Sequence, residues 1–186
     1  MLTLAGTLRW RAQRHPDLDA TWYQGRSRTY AELDQRSSHL AAGLVQTLGI
    51  KPGDRVAILE KNSDDYLELL YALDKAGAVA APVNYRLTAP EVAQVVGDAQ
   101  AVALVAGDEF RTAADSAGCR VVGFDELPRD ERAQDPHRDR EGAVTWQLYT
   151  SGTTGFPKGA MLTNANLTGN MAALGFEIPE LREGGR

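Results

Sequence analysis

Short apolar runs alternate with amphipathic stretches through the middle of the chain, and this alternation constrains the fold more than any other feature. The runs in DRVAILE, AVAAPV and AVALVA are nearly continuously apolar, which is typical of strands buried on both faces of a sheet. The stretch SDDYLELLYALDKAG between the first two has an acidic first turn and ends at Gly77, as helices often do. Thr88 and Glu91 have capping-box spacing, with Pro90 in the first turn. Strands that alternate with helices predict an α/β fold with a mostly parallel sheet flanked by helices.

The first fifty residues predict a helix, a hairpin and a second helix. The helix in TLAGTLRWRAQRHPD stops at Pro16, which cannot continue it. The stretch DATWYQGRSRTY predicts a hairpin that turns at Gly25. Thr29 and Glu32 form a second capping-box pair, and Gly49 suits the C-terminal cap of the helix that they begin. A weaker helix near 108–117 and a short strand near 120–124 follow later in the chain.

Composition narrows the class of protein. A net charge of −5 over 186 residues argues against a nucleic-acid partner. The single cysteine, Cys119, cannot form an internal disulfide, and the three histidines show no metal-ligand spacing. The first residues lack the pattern of a signal peptide, and the apolar runs are too short to span a bilayer. We therefore expect a cytoplasmic protein without a transmembrane segment; the sequence leaves peripheral membrane binding open.

Residues 128–142 interrupt the alternation. The stretch PRDERAQDPHRDREG holds five acids, four arginines and two prolines, and it offers nothing to bury. We interpret it as an exposed, mixed-charge connector. It divides the chain into an N-terminal α/β subdomain over 1–127 and the start of a next subdomain over 143–186, where a strand, a loop, a strand and a helix are predicted.

The loop in LYTSGTTGFPKGAMLT, residues 148–163, has the composition of an anion-binding loop. A flexible linker would have polar flanks, whereas both flanks here are apolar enough to be strands. Glycines allow close approach and positive φ, hydroxyl groups donate hydrogen bonds, and Lys158 adds a point charge. The residues of this kind are Thr150, Ser151, Gly152, Thr153, Thr154, Gly155, Lys158 and Gly159.

Three better-known motifs are excluded by spacing. A Walker loop needs lysine directly after its second glycine, but Phe156 and Pro157 separate Gly155 from Lys158. A nucleophile elbow needs a glycine two residues before its serine, but Tyr149 occupies that position relative to Ser151. No G-x-G-x-x-G sequence follows a strand, so a dinucleotide site has no support.

The sequence YTSGTTGFPKG closely resembles the phosphate loop of the AMP-forming adenylating enzymes, a family that includes acyl-CoA synthetases, firefly luciferase and the adenylation domains of peptide synthetases. RTYAELDQRSSHLAAGL resembles an early helix motif of that family. LDKAGAVAAPVNYRLTAPEV resembles its second motif, in the PVNxRL form of fatty acyl- and aryl-CoA synthetases. The resemblance implies the incomplete N-terminal domain of an acyl-CoA-synthetase-like fold, about the first third of such an enzyme, and a fatty acyl-CoA ligase activity.

The resemblance also implies a reaction with small-molecule substrates: a carboxylic acid, ATP and coenzyme A. An acyl-adenylate forms first, and the thiol of coenzyme A then displaces AMP; Mg²⁺ bridges the phosphates. The family's magnesium ligand and catalytic lysine come later than this chain, so no catalytic or metal-binding residue is expected within it. The residues expected to hold the β- and γ-phosphates are Thr150, Ser151, Gly152, Thr153, Thr154, Gly155 and Lys158.

One residue departs from the family pattern, and one alternative stays open. Asn164 occupies a position where many members have histidine in LTHxNL. The alternative to a ligase is a non-catalytic truncated paralogue or scaffold with at most weak polyphosphate binding. On either interpretation we expect the 186 residues alone to be inactive, and we expect their uncovered sheet faces and edges to promote self-association.

Overall fold

The computed structural model describes residues 3–132, 142–150 and 157–177. These residues form a six-stranded sheet with helices on both faces and a separate two-stranded hairpin. A 3-10 turn (Asp108–Phe110) precedes the fifth α-helix. In chain order the elements are α1 (Leu4–Arg14), β1 (Asp19–Tyr23), β2 (Arg26–Thr29), α2 (Tyr30–Gln46), β3 (Arg55–Leu59), α3 (Asp64–Ala76), β4 (Val79–Pro82), α4 (Ala89–Ala99), β5 (Ala103–Ala106), α5 (Arg111–Ala114), β6 (Arg120–Gly123), β7 (Val144–Thr150), β8 (Lys158–Thr163) and α6 (Asn164–Glu177).

The strands of the large sheet lie in the order β6-β5-β3-β4-β7-β8. The first five are parallel to their neighbours, and β8 is antiparallel to β7. Val56 on β3 is in register with Ala80 on β4 and with Ala103 on β5. The predicted α/β fold with a mostly parallel sheet flanked by helices is therefore confirmed.

Each face of the sheet has its own apolar core. Val56 and Ile58 of β3 face the core under α2 and α3, and the alternate residues Ala57 and Leu59 face the core under α4. All four are essentially inaccessible to solvent. Burial on both faces explains why β3 reads as a continuous apolar run, because neither side of the strand reaches water.

The predicted helix starts are confirmed, and one predicted helix end is wrong. The carboxylate of Glu32 accepts a hydrogen bond from the backbone N–H of Thr29 at 2.8 Å, which forms the expected capping box. Gly77 has a φ of 74° and ends α3 as expected. In contrast, α2 is capped by Thr47, and Gly49 lies two residues further on, where its φ of 71° turns the chain toward β3.

Two short predictions have different outcomes. The predicted turn at Gly25 is confirmed: Gln24 and Gly25 both have positive φ, as a two-residue type I′ hairpin turn requires. The helix predicted near 108–117 is instead a 3-10 turn followed by one turn of α-helix. Phe110, with a φ of −109° and a ψ of 3°, interrupts the helical path between them.

The segment after β6 crosses back over α2. Gly43 of α2 lies against the backbone of Pro128, and the N–H of Asp130 donates to the carbonyl oxygen of His39 at 3.0 Å. Strands β7 and β8 then join the same sheet as β3 to β6. The division into subdomains over 1–127 and 143–186 stays a prediction for the whole protein. None of the helices in the described ranges has the length and apolar character needed to cross a bilayer.

Candidate functional site

The β7–β8 hairpin carries the predicted phosphate loop. Its register pairs Leu148 with Ala160 and Thr150 with Lys158, so the first and last predicted site residues lie directly opposite each other. Both are exposed at the open end of the hairpin. The other predicted site residues lie outside the described residues; they are Ser151, Gly152, Thr153, Thr154 and Gly155.

The connection between the two strands is unusually long for a hairpin. The strands end at Thr150 and begin again at Lys158, so seven residues connect them, where most hairpins use two to five. Opposite residues of an antiparallel pair have Cβ atoms about 5 Å apart, close enough for Thr150 and Lys158 to reach one ligand. A long connection between paired strands is typical of a binding loop.

Gly159 has a role different from the one predicted for it. It lies within β8, opposite Tyr149, and is not among the positive-φ glycines of the described residues. A Cβ at this position would lie 2.6 Å from Nε2 of Gln147 and 3.0 Å from Cζ of Tyr149. The expectation that Gly159 supplies positive φ is therefore wrong, and its lack of a side chain makes room for those two residues.

A directional chain of hydrogen bonds runs along β7 toward the loop. Nε of Arg55 donates to Oε1 of Gln147 at 3.3 Å, and Nε2 of Gln147 donates to the hydroxyl oxygen of Tyr149 at 2.8 Å. The Tyr149 hydroxyl donates in turn to Oδ2 of Asp98, on α4, at 2.7 Å. Burial and the adjacent Asp98 carboxylate raise the pKa of Tyr149 well above its ordinary value, so the hydroxyl stays protonated and able to donate.

A cavity of about 320 Å³ separates the loop end of the hairpin from α4. Tyr149 and Pro157 line it on the hairpin side, and Gln94 and Asp98 line it on the helix side. The Tyr149–Asp98 hydrogen bond lies at the edge of this cavity, where Tyr149 also packs against the apolar core under α4.

The base of the hairpin is held by a buried carboxylate that sequence reasoning missed. Oδ1 of Asp74, on α3, accepts a hydrogen bond from Oγ1 of Thr145 at 2.8 Å, and Oδ2 accepts one from the N–H of Ala5 at 2.9 Å. Oδ1 of Asn164 accepts from the N–H of Leu4 at 2.9 Å. The two side chains cap the start of α1 and fix both ends of the hairpin. The only sequence signal was the departure at Asn164.

A second cavity, of about 490 Å³, is lined by charged side chains of both signs. Beside it the fully buried carboxylate of Glu68 accepts hydrogen bonds from Arg28, Arg36 and Arg129. Arg26 pairs with Asp64. This arginine cluster joins the β1–β2 hairpin, α2, α3 and the segment after β6 through ion pairs with carboxylates.

Comparison with known proteins identifies the family. A sequence profile of the family described as AMP-binding enzyme matches residues 8–184. Feruloyl-CoA synthase of an Amycolatopsis species is 42% identical over 163 residues, which are 86% of this chain and 33% of that protein. Fatty acid–[acyl-carrier-protein] ligase ScoC of Streptomyces coeruleorubidus is 37% identical over 188 residues, covering 94% of this chain and 36% of that protein.

The fold agrees with the sequence matches. The inhibitor-bound N-terminal domain of FACL13 from Mycobacterium tuberculosis superposes with a TM-score of 0.79 at 32% identity, covering 88% of this chain and 45% of that one. The chain spans about a third of the length of the two sequence relatives. Because the profile matches nearly every residue, the chain belongs to the AMP-binding enzyme family.

Proposed function

We propose that the protein activates a carboxylic acid with ATP and transfers the acyl group to coenzyme A. A carboxylate oxygen attacks the α-phosphorus, the bond to the β-phosphate oxygen breaks, and pyrophosphate leaves. The thiol sulfur of coenzyme A then attacks the acyl carbon, and AMP leaves. Family membership and the acid–thiol ligases among the relatives support this proposal.

The observation that carries the proposal is the pairing of Thr150 with Lys158 at the mouth of the loop. In the proposed reaction the loop binds the β- and γ-phosphates through its hydroxyl and backbone N–H groups, and Lys158 opposes the charge that builds up on the departing pyrophosphate. This is positioning and electrostatic stabilisation, without a covalent intermediate on the protein. The loop residues in this role are Thr150, Ser151, Gly152, Thr153, Thr154, Gly155 and Lys158.

Magnesium would be held mainly outside the described residues. Across residues 3–132, 142–150 and 157–177, no group of three His, Cys, Asp or Glu side chains could hold a metal ion. In this proposal Mg²⁺ would be held largely by the phosphates of ATP, and the proposed role of the loop depends only on phosphate contacts.

The proposed acid is a fatty acid, because the PVNxRL motif is of the fatty acyl- and aryl-CoA synthetase form and one relative is a fatty acid ligase. A specific observation favours a second candidate: the 42% identity to a feruloyl-CoA synthase supports an aromatic acid. A cytoplasmic location is proposed with either substrate.

We further propose that the 186 residues alone do not catalyse the reaction. This proposal is supported by length: the chain spans about a third of the length of relatives whose names describe the complete reaction. Carboxylate-dependent ATP–pyrophosphate exchange by the purified 186-residue chain would contradict this proposal.

The experiment begins with the intact mass of the protein as its native source produces it. That protein is then assayed for ATP–pyrophosphate exchange with a fatty acid, with ferulic acid and without acid. Exchange that needs one of the acids is expected, and Lys158→Ala should lower kcat/KM for ATP by ~100-fold. Lys51→Ala, at another exposed lysine, is the matched control. Exchange with neither acid would favour the non-catalytic alternative.

A further inference from the structure

Two kinds of contact hold the loop end of the hairpin: Tyr149 packs against the apolar core under α4, and its hydroxyl forms hydrogen bonds. β7 pairs with β4 through Ala80 and Trp146, which lie near the base of the hairpin. In the described part of the chain β8 is the last strand of the sheet. Toward the loop, Tyr149 and Pro157 lie beside the cavity next to α4. Apolar packing of Tyr149 is not directional, so a polar contact is needed to fix where Thr150 lies relative to α4.

The hydrogen bond between Tyr149 and Asp98 meets this requirement. Tyr149 directly precedes Thr150, and Asp98 lies in the last turn of α4, which packs on the sheet through buried valines. The Gln147 amide donates to the Tyr149 oxygen, so the proton of that hydroxyl is directed at the Asp98 carboxylate. The donor is a neutral hydroxyl and the acceptor is a carboxylate, 2.7 Å apart. Such charge-assisted hydrogen bonds are stronger than those between two neutral groups.

A second feature of the hairpin preserves the same geometry. Gln147 is buried, and its Nε2 occupies space that a side chain on residue 159 would take. The glycine in β8 therefore keeps Gln147 in contact with Tyr149, while Arg55 orients Gln147 from β3. Four elements (β3, β7, β8 and α4) thus contribute to a single contact beside the loop.

We propose that Tyr149 and Asp98 are positioning residues that fix Thr150, the first residue of the phosphate loop, relative to α4, and thereby set the affinity of the loop for the triphosphate of ATP. This proposal rests on the proposed function. Neither residue touches the reacting atoms. Their effect is to hold Thr150 in one position before ATP binds, which lowers the ordering cost of binding.

The test uses Tyr149→Phe, Asp98→Ala and Asp98→Asn in the protein as its native source produces it. Tyr23→Phe is the matched control, since it removes a hydroxyl from the β1–β2 hairpin. In the exchange assay, Tyr149→Phe and Asp98→Ala are expected to raise KM for ATP about tenfold, with KM for the acid and the Tm unchanged. Asp98→Asn keeps an acceptor oxygen and should restore most of the affinity.

Combining the two changes checks that they act through one bond. The Tyr149→Phe/Asp98→Ala protein should resemble either single variant, because the bond can be lost only once. Additive increases in KM would overturn the proposal, as would a rise in KM for the acid and ATP alike or an effect that follows Tm.

Hydrogen exchange separates this inference from the proposed function. Without any substrate, the backbone amides of peptides covering 144–163 should exchange faster in Tyr149→Phe than in the wild type or Tyr23→Phe. Unchanged exchange would overturn the positioning role. Absence of pyrophosphate exchange in the wild type with every acid would instead overturn the proposed function.

Discussion

Nδ2 of Asn164 donates a hydrogen bond to Oδ1 of Asp74 over 2.7 Å, and both side chains are buried. The contact joins the first residue of α6 to α3, ninety positions earlier in the chain. Since the same oxygen also accepts from Thr145 at the start of β7, one carboxylate ties together the two ends of the loop-bearing hairpin. Asn164 therefore stabilises the base of the hairpin, at the opposite end from Thr150 and Lys158.

Asp74→Asn should lower the free energy of unfolding by about 2–4 kcal/mol. The NH₂ group of asparagine would replace one carboxylate oxygen and would face another donor. In one orientation that donor is the N–H of Ala5, and in the other it is the side chains of Thr145 and Asn164. A buried donor without an acceptor is costly. Urea unfolding followed by circular dichroism measures the change. Asp115→Asn, at an exposed aspartate, is the control and should change stability by less than about 0.5 kcal/mol. Equal effects of the two substitutions would contradict this role of Asp74.

Two helical glycines should respond to alanine in opposite directions. A Cβ on Gly43 of α2 would lie 2.1 Å from the carbonyl oxygen of Pro128, a backbone atom that cannot rotate away. Gly43→Ala should therefore destabilise the protein by about 2–3 kcal/mol. Gly97 of α4 has open space where its Cβ would be, so Gly97→Ala should stabilise by about 0.5–1 kcal/mol, because alanine loses less backbone entropy in a helix. Thermal unfolding of the two variants side by side measures both changes. A Gly43→Ala protein as stable as the wild type would refute the packing of the Pro128 backbone on α2, and a destabilised Gly97→Ala protein would contradict the open space at Gly97.

Local signals explain why most of the fold could be predicted from sequence. The capping box of Thr29 and Glu32, the end of α3 at Gly77 and the apolar run of β3 depend on residues that are close in the chain. The parallel sheet follows from the alternation of such elements. The resemblance of the loop to a known family is likewise carried by consecutive residues.

Long-range polar contacts explain what sequence reasoning missed. Glu68 lies in α3 beyond the acidic first turn that the sequence predicts, and its partners include Arg28 and Arg129, 40 and 61 positions away. No periodic pattern marks that glutamate as buried. In the sequence Asn164 stands out only as a departure from a family pattern, and its partner Asp74 has no local feature that distinguishes it from a solvent-facing helical acid.

Glu68→Gln should lower the free energy of unfolding by about 3–5 kcal/mol. The substitution keeps the size of the side chain but removes its charge, which leaves Arg28 largely buried with one fewer carboxylate partner. Glu109→Gln is the matched control: Glu109 pairs with Lys61 at the surface, and such pairs contribute less than about 1 kcal/mol. Urea unfolding of both variants provides the comparison, and a loss below 1 kcal/mol for Glu68→Gln would show that the arginine cluster adds little to stability.

Asp65 should contribute stability that disappears in acid. Burial alone would raise the pKa of Asp65, but the hydrogen bond from Arg28 and the charges of Arg26 and Arg36 outweigh it and hold the pKa below its ordinary value of about 3.8. A carboxyl whose pKa is lower in the folded state stabilises the fold above the unfolded pKa and loses that contribution as the pH falls through the folded pKa.

The measurement is urea unfolding of the wild type and of Asp65→Asn between pH 7 and pH 3. The variant should be less stable at pH 7, and the difference should shrink as the pH falls below about 3.8, because the unfolded wild type then takes up a proton that the folded carboxyl binds less readily. Since the Asp65 side chain is 44% exposed, solvent screening keeps the difference small. Asp108→Asn, at a side chain that is 91% exposed, is the control and should show little pH dependence. A wild-type advantage that does not shrink at all between pH 4 and pH 3 would mean that Asp65 acts through packing and that its lowered pKa adds nothing to stability.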